Sequence, residues 1–198
     1  MARIGLFGGT FNPVHNGHIH LAEEAVSELG LSKLILIPSN IPPHKEAGEL
    51  CSCEDRVQMC RLAAEGKENF EVSLFEINQG GKSYSYYTVE HFSELYPDEE
   101  IFLLTGSDML LSFEKWFRFE DILKKVTLAV VPREYDDSEQ LVRKAEELSG
   151  FGKIKIISYR PYPVSSTEIR RRIRNGEKYS CYLPEKVVQY IRLKNLYI

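Results

Sequence analysis

The chain has 198 residues, of which 43% are hydrophobic and 27% charged, and its formal net charge is −4. This length suits one domain over residues 1–198 that buries roughly 70% of its unfolded surface. An acidic pI near 5.8 argues against a nucleic-acid-binding protein, which usually needs a basic face. No apolar run approaches the roughly 20 residues of a membrane span, which argues against a membrane protein.

Cysteine usage predicts a reducing compartment. The cysteines lack the paired C-x-x-C spacing of a zinc site, and they lie at Cys51, Cys53, Cys60 and Cys181. No signal-peptide pattern opens the chain. We therefore expect free thiols in the cytoplasm, assign them no function, and predict no metal site built from protein side chains alone. Whether the chain forms a homodimer is left open.

Short apolar runs alternate with helical patterns along the chain. Strands are predicted over 3–7, 33–37, 70–77, 101–105, 127–131 and 153–157. Helices are predicted over 18–29, 54–66, 86–95, 108–124, 137–148, 167–175 and 184–194. This alternation predicts a Rossmann-like α/β fold, a mostly parallel sheet of five to six strands with helices on both faces. The helical part over about 163–198 is expected to pack on that sheet, and ligands to bind beyond the carboxyl ends of the strands.

The turn after the first strand predicts an anion site. It reads GGTFNPVHNGH from Gly8 to His18, and glycines there allow a ligand to approach the backbone. His15 and His18 stand at the start of the first helix, where free N–H groups favour an anion. Imidazoles can donate hydrogen bonds to phosphate oxygens as charge develops. The competing interpretation is that these histidines only cap the helix or face solvent.

A second anion site is predicted where the helix after the last strand begins. Ser165 and Glu168 fit a capping box, so this segment could be no more than a helix start. However, cations at a helix N-terminus are disfavoured, and arginines fill the first two turns. A bound polyphosphate would reverse that cost. Arg170, nearest the cap, is the predicted ligand, while Arg171 and Arg172 are expected to face solvent.

Two common nucleotide-binding motifs are missing. The first strand is not followed by G-x-G-x-x-G, and no acidic residue ends the second strand, which argues against a dinucleotide-binding dehydrogenase. No G-x-x-x-x-G-K-[ST] sequence occurs, which argues against a P-loop protein.

Candidate residues for a second substrate lie on the loops after other strands. His44 and Lys45 stand on a proline-stiffened loop suited to a phosphate or carboxylate, or on an ordinary solvated loop. Arg133 follows the fifth strand. These three residues are predicted to bind the second substrate.

Three further positions have a structural alternative. Asp108, after Gly106, could accept hydrogen bonds from ribose hydroxyls or could cap a helix. Thr88 could bind the substrate or cap the third helix. Trp116, the one tryptophan, could pack in the core or stack on a heteroaromatic ring.

The H-x-G-H of the first motif and the S-S-T-x-I-R at Ser165 to Arg170 resemble the signatures of the nucleotidyltransferase superfamily. That resemblance implies that the two segments surround one triphosphate. Its ligands would be Gly9, Thr10, His15, His18, Ser166, Thr167 and Arg170, with Gly8, Phe11, Gly106, Asp108 and Ser165 assigned to the same ATP site.

Further segments, PPHK, SYYTVEHF, TGSDMLLSFEKW and YLPEKVVQYI, resemble the bacterial nicotinate-mononucleotide adenylyltransferases across nearly the whole chain. An extra tyrosine departs from the family's S-Y-T. This resemblance implies transfer of an adenylyl group from ATP, with Mg²⁺, to nicotinate mononucleotide, giving deamido-NAD and pyrophosphate. It also implies that Thr88 and Trp116 hold the pyridine ring, with His44 and Lys45 near the acceptor.

The implied reaction is a direct in-line transfer, because the acceptor phosphate is already ionised and no protein nucleophile is needed. His15, His18 and Arg170 would stabilise the developing charge, and Mg²⁺ would be carried mainly by the ATP phosphates. Two alternatives remain. A related enzyme could use another acceptor, such as nicotinamide mononucleotide, phosphopantetheine, glycerol 3-phosphate or a flavin precursor. The chain could also be a nucleotide-binding regulator without catalysis.

Overall fold

A computed structural model describes residues 1–42, 50–132, 138–158 and 162–198. Within these residues the sheet has six parallel strands in the order β3-β2-β1-β4-β5-β6. The strands are β1 Arg3–Gly9, β2 Lys33–Pro38, β3 Phe70–Val72, β4 Glu100–Gly106, β5 Thr127–Val131 and β6 Ile154–Ile156. The order reverses between β1 and β4, so the predicted Rossmann-like α/β fold is confirmed.

Helices connect the strands and follow the last one. Those of the described residues are α1 Asn16–Leu29, α2 Cys53–Ala64, α3 Phe75–Gln79, α4 Ser85–Leu95, α5 Ser107–Leu110, α6 Phe119–Lys125, α7 Ser138–Leu148, α8 Ser166–Arg174 and α9 Glu185–Lys194, with 3₁₀ turns at Phe113–Lys115 and Ser180–Tyr182. No helix in this part of the chain is long and apolar enough to cross a membrane.

Apolar side chains cover both faces of the sheet, because neighbouring strand residues point to opposite faces. Phe7 belongs to a core cluster shared with α1, α2, α8 and α9. Leu6, its neighbour, belongs to a second cluster shared with α4, α5, α6 and α7. Helices on both faces therefore hold the strand ends in fixed positions.

The sheet splits at its centre, where the strand order reverses. Pairing of β1 with β4 ends at Leu6 and Leu103. Beyond that point, β1 continues alongside β2 as far as Gly9, and β4 continues alongside β5 as far as Gly106. The carboxyl ends of the two central strands are thus no longer bonded to each other, which is where ligands bind in such sheets.

Two predicted elements differ from the structure. The strand predicted over 70–77 ends at Val72, and Phe75–Gln79 forms α3 instead. The chain leaves the sheet after the Ser73 N–H bonds the Leu36 carbonyl at 2.9 Å, and the Ser73 hydroxyl then accepts from the Phe75 N–H at 3.1 Å. A polar side chain that bonds its own backbone favours such a turn.

The helix predicted over 108–124 is broken into α5, a 3₁₀ turn and α6. Trp116 is extended, with φ −74° and ψ 142°. Arg118 has φ 55°, in the left-handed region. No helix can continue through these two conformations, although the apolar spacing of the segment is helical.

Candidate active site

The glycine pair at the end of β1 has two different structural roles. A Cβ atom at Gly8 would have nothing within 4 Å, whereas a Cβ at Gly9 would come within 2.9 Å of the Phe11 ring. Gly8 therefore leaves open space beside the backbone, as predicted for ligand approach. The absence of a side chain at Gly9 instead allows the Phe11 ring to pack against the Gly9 backbone. Phe11 as a whole is 1% exposed and belongs to the core, so its assignment to the ATP site stays a prediction.

His15 and His18 form one unit at the start of α1. Their rings stack with centroids 3.7 Å apart. The Nδ1 atom of His15 accepts from the His18 backbone N–H at 3.3 Å, and the Nδ1 of His18 accepts from the His15 backbone N–H at 3.2 Å. Because each Nδ1 is an acceptor, each neutral ring carries its proton on Nε2. The helix-cap interpretation is correct for His15, and the cap uses Nδ1 rather than Nε2.

The second motif lies against the first. Ser165 is the N-cap of α8 and accepts from the Glu168 N–H. The Ser166 hydroxyl donates to the Pro13 carbonyl at 2.9 Å. The Arg170 guanidinium donates from Nη1 to the Asn12 carbonyl, also at 2.9 Å. The structure thus brings together two segments about 150 positions apart. Thr167, which follows Ser166 in α8, is exposed.

The other arginines of α8 are paired with carboxylates. Arg171 donates two hydrogen bonds to Glu168, each at 2.9 Å, and these bonds lower the pKa of Glu168 to about 2. Arg172 also bonds Glu168, at 2.7 Å, and lies over the Tyr182 ring. Arg171 faces solvent as predicted, but Arg172 is partly covered by its contact with Tyr182. Arg171 and Arg172 lie in the last turn of this nine-residue helix, where the helix dipole favours cations, so the cost predicted for these two arginines at a helix start does not arise.

β4, which neighbours β1 in the sheet, leads directly into α5 at its carboxyl end. Gly106 holds the N-cap position of this short helix, so the alternative that Asp108 caps it is wrong. Asp108 lies in the first turn and is exposed, which leaves it accessible at the carboxyl edge of the sheet. Its role toward ribose hydroxyls stays a prediction.

Thr88 does not cap α4, because Tyr84 holds the N-cap position. Its side chain is buried, and its hydroxyl donates to the Glu76 carboxyl at 2.6 Å. Burial raises the pKa of Glu76, although hydrogen bonds from Thr88 and Ser83 partly lower it. The Ser83 hydroxyl also accepts from the Asn40 N–H at 2.8 Å. This buried chain of hydrogen bonds joins α3 and α4 to the segment after β2.

Trp116 and its neighbours form a partly exposed aromatic surface beside α4. Trp116 packs on Phe113, with ring centroids 4.9 Å apart, and is partly exposed. Phe117 lies 5.3 Å from Tyr84 and 5.9 Å from Tyr87. Both the core-packing and the stacking interpretation of Trp116 are therefore compatible with its position. Three other predicted positions, His44, Lys45 and Arg133, lie outside the described residues.

Comparisons with known proteins identify the family. Residues 6–172 match the model of the cytidylyltransferase-like family. A probable nicotinate-nucleotide adenylyltransferase of Carboxydothermus hydrogenoformans is 40% identical over 99% of this chain and 98% of its own length. A probable nicotinate-nucleotide adenylyltransferase of Clostridium botulinum is 36% identical over 100% of this chain and 98% of its own length. The chain belongs to the nicotinate-nucleotide adenylyltransferase family.

Solved structures share the fold of this nicotinate-nucleotide adenylyltransferase family member. A Plasmodium falciparum nicotinic acid mononucleotide adenylyltransferase complexed with NaAD aligns with a TM-score of 0.79 at 18% identity, over 100% of this chain and 98% of the other. A putative nicotinate-nucleotide adenylyltransferase from Vibrio parahaemolyticus aligns with a TM-score of 0.67 at 21% identity, over 100% and 96%. At such low identities the likeness establishes the shared fold.

One buried cation, Arg56, lies next to the first motif in this adenylyltransferase family member and was not predicted from the sequence. Arg56 on α2 is 1% exposed. It donates to the Thr10 carbonyl at 2.9 Å, to the Asn40 carbonyl at 3.2 Å and to the Cys53 thiol at 3.1 Å. None of these partners neutralises its charge, so Arg56 adds positive potential under the predicted phosphate site. Its spacing from the buried Cys60, one helical turn away, is the sequence signal that could have revealed it.

Proposed function

We propose that this protein transfers the adenylyl group of ATP to nicotinate mononucleotide, producing deamido-NAD and pyrophosphate. The observation that carries the proposal is the contact between the two motifs, in which Arg170 and Ser166 bond the Asn12 and Pro13 carbonyls at 2.9 Å. This contact unites an imidazole pair, a helix N-terminus and an arginine beside the split between β1 and β4. Curated relatives with full-length similarity carry the name of the same activity.

In the proposed step, an oxygen of the 5′-phosphate of nicotinate mononucleotide attacks the α-phosphorus of ATP. The bond from that phosphorus to the oxygen bridging the α- and β-phosphates breaks, and pyrophosphate leaves with the electron pair. The attacking oxygen is already ionised, so no protein nucleophile takes part. Catalysis consists of holding two anions together and stabilising the charge that moves onto the bridging oxygen.

His15, His18 and Arg170 are proposed to supply that stabilisation. The Nε2–H groups of the two imidazoles donate to phosphate oxygens, and the guanidinium binds the departing pyrophosphate. Removing one such donor typically costs about 3 kcal/mol, or roughly a hundredfold in rate. The remaining residues proposed to bind ATP, some through their backbone, are Gly8, Gly9, Thr10, Phe11, Gly106, Asp108, Ser165, Ser166 and Thr167.

Mg²⁺ is proposed to enter with ATP. Over the described ranges, no group of three or more histidine, cysteine or acidic side chains could hold a metal ion. Mg²⁺ prefers oxygen ligands and keeps several waters, so the phosphate oxygens would carry it. Its chemistry there is to neutralise phosphate charge, while the protein side chains orient the phosphates.

The pyridine ring of the acceptor is proposed to bind beside α4 and Trp116. The Thr88 hydroxyl donates its proton to Glu76, so it has no proton left for the acceptor's carboxylate. Backbone N–H groups near Thr88 are therefore the proposed donors, with Trp116 stacking on the ring. His44, Lys45 and Arg133 stay predicted contacts of the acceptor. The described cysteines are free thiols, in keeping with the proposed cytoplasmic location.

The deciding experiment measures pyrophosphate release from Mg·ATP with candidate acceptors supplied one at a time. We expect the highest kcat/KM with nicotinate mononucleotide and a lower value with nicotinamide mononucleotide. Phosphopantetheine and glycerol 3-phosphate serve as controls for the related enzymes. A higher kcat/KM with any other acceptor would reassign the substrate. ATP binding without turnover on any acceptor would favour a regulator.

A further inference from the structure

The loop between β1 and α1 is held by groups from several distant parts of the chain. Four of its carbonyl groups accept a hydrogen bond at 2.9 Å. The Gly9 carbonyl accepts from the Ser39 N–H, and the Thr10 carbonyl accepts from Arg56. The Asn12 carbonyl accepts from Arg170, and the Pro13 carbonyl accepts from the Ser166 hydroxyl. Two of these donors, Arg170 and Ser166, belong to the proposed triphosphate site. The shape of this loop therefore decides where the arginine and the α8 N-terminus meet the phosphates.

The side chain of Asn12 is a second point of attachment for this loop. Asn12 is 2% exposed, and its Oδ1 atom accepts from the Tyr197 hydroxyl at 2.8 Å. The same oxygen accepts from the Cys51 N–H at 3.2 Å and from the Cys51 thiol at 3.1 Å. A single residue thus joins the start of α2, the last turn of the chain and, through its carbonyl, Arg170.

Tyr197 reaches Asn12 through an unusual backbone conformation. After α9 ends at Lys194, Asn195 has φ 51° and Tyr197 has φ 66°, in a region that bulky residues avoid. The Tyr197 side chain packs against the core under the loop, and burial raises the pKa of its phenol. The hydroxyl therefore keeps its proton and remains a donor. Strained residues that the surroundings hold in place often mark functional sites.

We infer that Tyr197 is a positioning residue for ATP: its hydroxyl fixes the Asn12 amide, and thereby the loop on which Arg170 rests. The inference rests on the proposed function, in which Arg170 binds the triphosphate. Tyr197 itself does not touch the substrate. The last turn of the chain thus takes part in nucleotide binding from beneath the site.

The test replaces Tyr197 by Phe, with Tyr190→Phe as the matched control. The hydroxyl of Tyr190, on α9, donates to Asp55 at 2.8 Å, also at the start of α2 and not on the loop. Calorimetric titration with Mg·ATP alone measures Kd. We expect Tyr197→Phe to raise Kd about fivefold to tenfold, because it removes the hydroxyl that bonds Asn12 at 2.8 Å and lies 3.1 Å from the Cys51 thiol. We expect Tyr190→Phe to leave Kd within about twofold. An unchanged Kd for Tyr197→Phe, or equal increases in both variants, would overturn the inference.

A double-mutant cycle separates positioning from a general loss of stability. If Tyr197 acts through Arg170, Tyr197→Phe should weaken ATP binding much less when Arg170 is already replaced by Lys. Fully additive effects would contradict the inference. Because the titration contains no acceptor, it stays informative if nicotinate mononucleotide proves not to be the substrate. Absence of turnover with that acceptor would contradict the proposed function alone.

Discussion

His15 and His18 hold each other in place: each ring accepts the other residue's backbone N–H through Nδ1, and the two rings stack 3.7 Å apart. A second proton could enter either ring only at Nδ1, where it would remove an acceptor. In a neutral ring this arrangement places the proton on Nε2. The helix cap uses Nδ1 of His15, whereas the proposed phosphate contact would use Nε2, so substitutions can separate the two roles.

His15→Asn should separate capping from catalysis. Asparagine is a good N-cap residue, so the unfolding free energy should stay within about 0.5 kcal/mol of wild type, while His15→Ala should lose about 1 kcal/mol. Both variants lack the Nε2 donor, so both should lose roughly a hundredfold in kcat. Urea denaturation and pyrophosphate release measure the two effects. If His15→Asn retains wild-type turnover, His15 is a cap only.

His18→Ala should reduce turnover far more than ATP affinity. The imidazole is proposed to act on charge that develops in the transition state, so kcat should fall roughly a hundredfold while the Kd of Mg·ATP changes much less. His20→Ala is the control, since His20 lies on the same helix and its side chain is 32% exposed. Unchanged turnover in His18→Ala would remove this residue from the mechanism.

Gly8 and Gly9 offer a matched pair of alanine substitutions. A methyl group at Gly8 meets open space, so Gly8→Ala should keep its stability. It should weaken ATP binding, because the methyl group would occupy the side of the backbone that is proposed to face ATP. A methyl group at Gly9 presses on the Phe11 ring, so Gly9→Ala should lose about 1–3 kcal/mol of unfolding free energy. Thermal unfolding and ATP titration distinguish them. Wild-type ATP affinity in Gly8→Ala would place the nucleotide elsewhere.

Local patterns were sufficient to predict much of the sheet and both phosphate motifs. Apolar runs predicted all six strands, because a parallel sheet buries both faces of its strands. The predicted helices at both motifs differ from α1 and α8 by one or two residues at their starts, since Ser165 and the glycine turn mark those starts clearly. Contact between the motifs was expected from their resemblance to known signatures rather than from spacing.

Features that depend on distant contacts could not be predicted in this way. The helix predicted over 108–124 is interrupted at Arg118, whose guanidinium bonds the Tyr86 hydroxyl at 2.7 Å and lies over the Tyr86 ring. Tyr197 meets Asn12 across 185 positions, and no periodicity connects them. Tertiary contacts of this kind override local propensity, so they become visible only in the folded chain.

Arg56 should matter for both stability and ATP binding. Arg56→Leu leaves the Thr10 and Asn40 carbonyls without their donor, and each lost partner costs about 1–3 kcal/mol. We expect a loss of about 3 kcal/mol in unfolding free energy and weaker ATP binding. Arg61→Leu, at an exposed position of the same helix, should stay within about 0.5 kcal/mol of wild type. Equal stability of the two variants in urea denaturation would contradict this role.

Glu76 should make the stability depend on pH. Burial raises the pKa of its carboxyl, so the folded state holds this proton more tightly than the unfolded state does. The stability from this group is therefore full below the unfolded pKa and is lost as pH rises through the folded pKa. Glu76→Gln carries an uncharged amide at every pH. We expect wild type to lose stability relative to Glu76→Gln as pH rises from about 4 to about 8.

A second variant checks the cause of this dependence. The Thr88 hydroxyl bond lowers the pKa of Glu76 in part, so Thr88→Val should raise that pKa further and extend the loss of stability to higher pH. Urea denaturation at several pH values measures the unfolding free energy of all three proteins. A stability difference between wild type and Glu76→Gln that stays constant across this range would show that the buried carboxyl does not titrate there. An unshifted profile for Thr88→Val would show that the hydroxyl does not stabilise the ionised form.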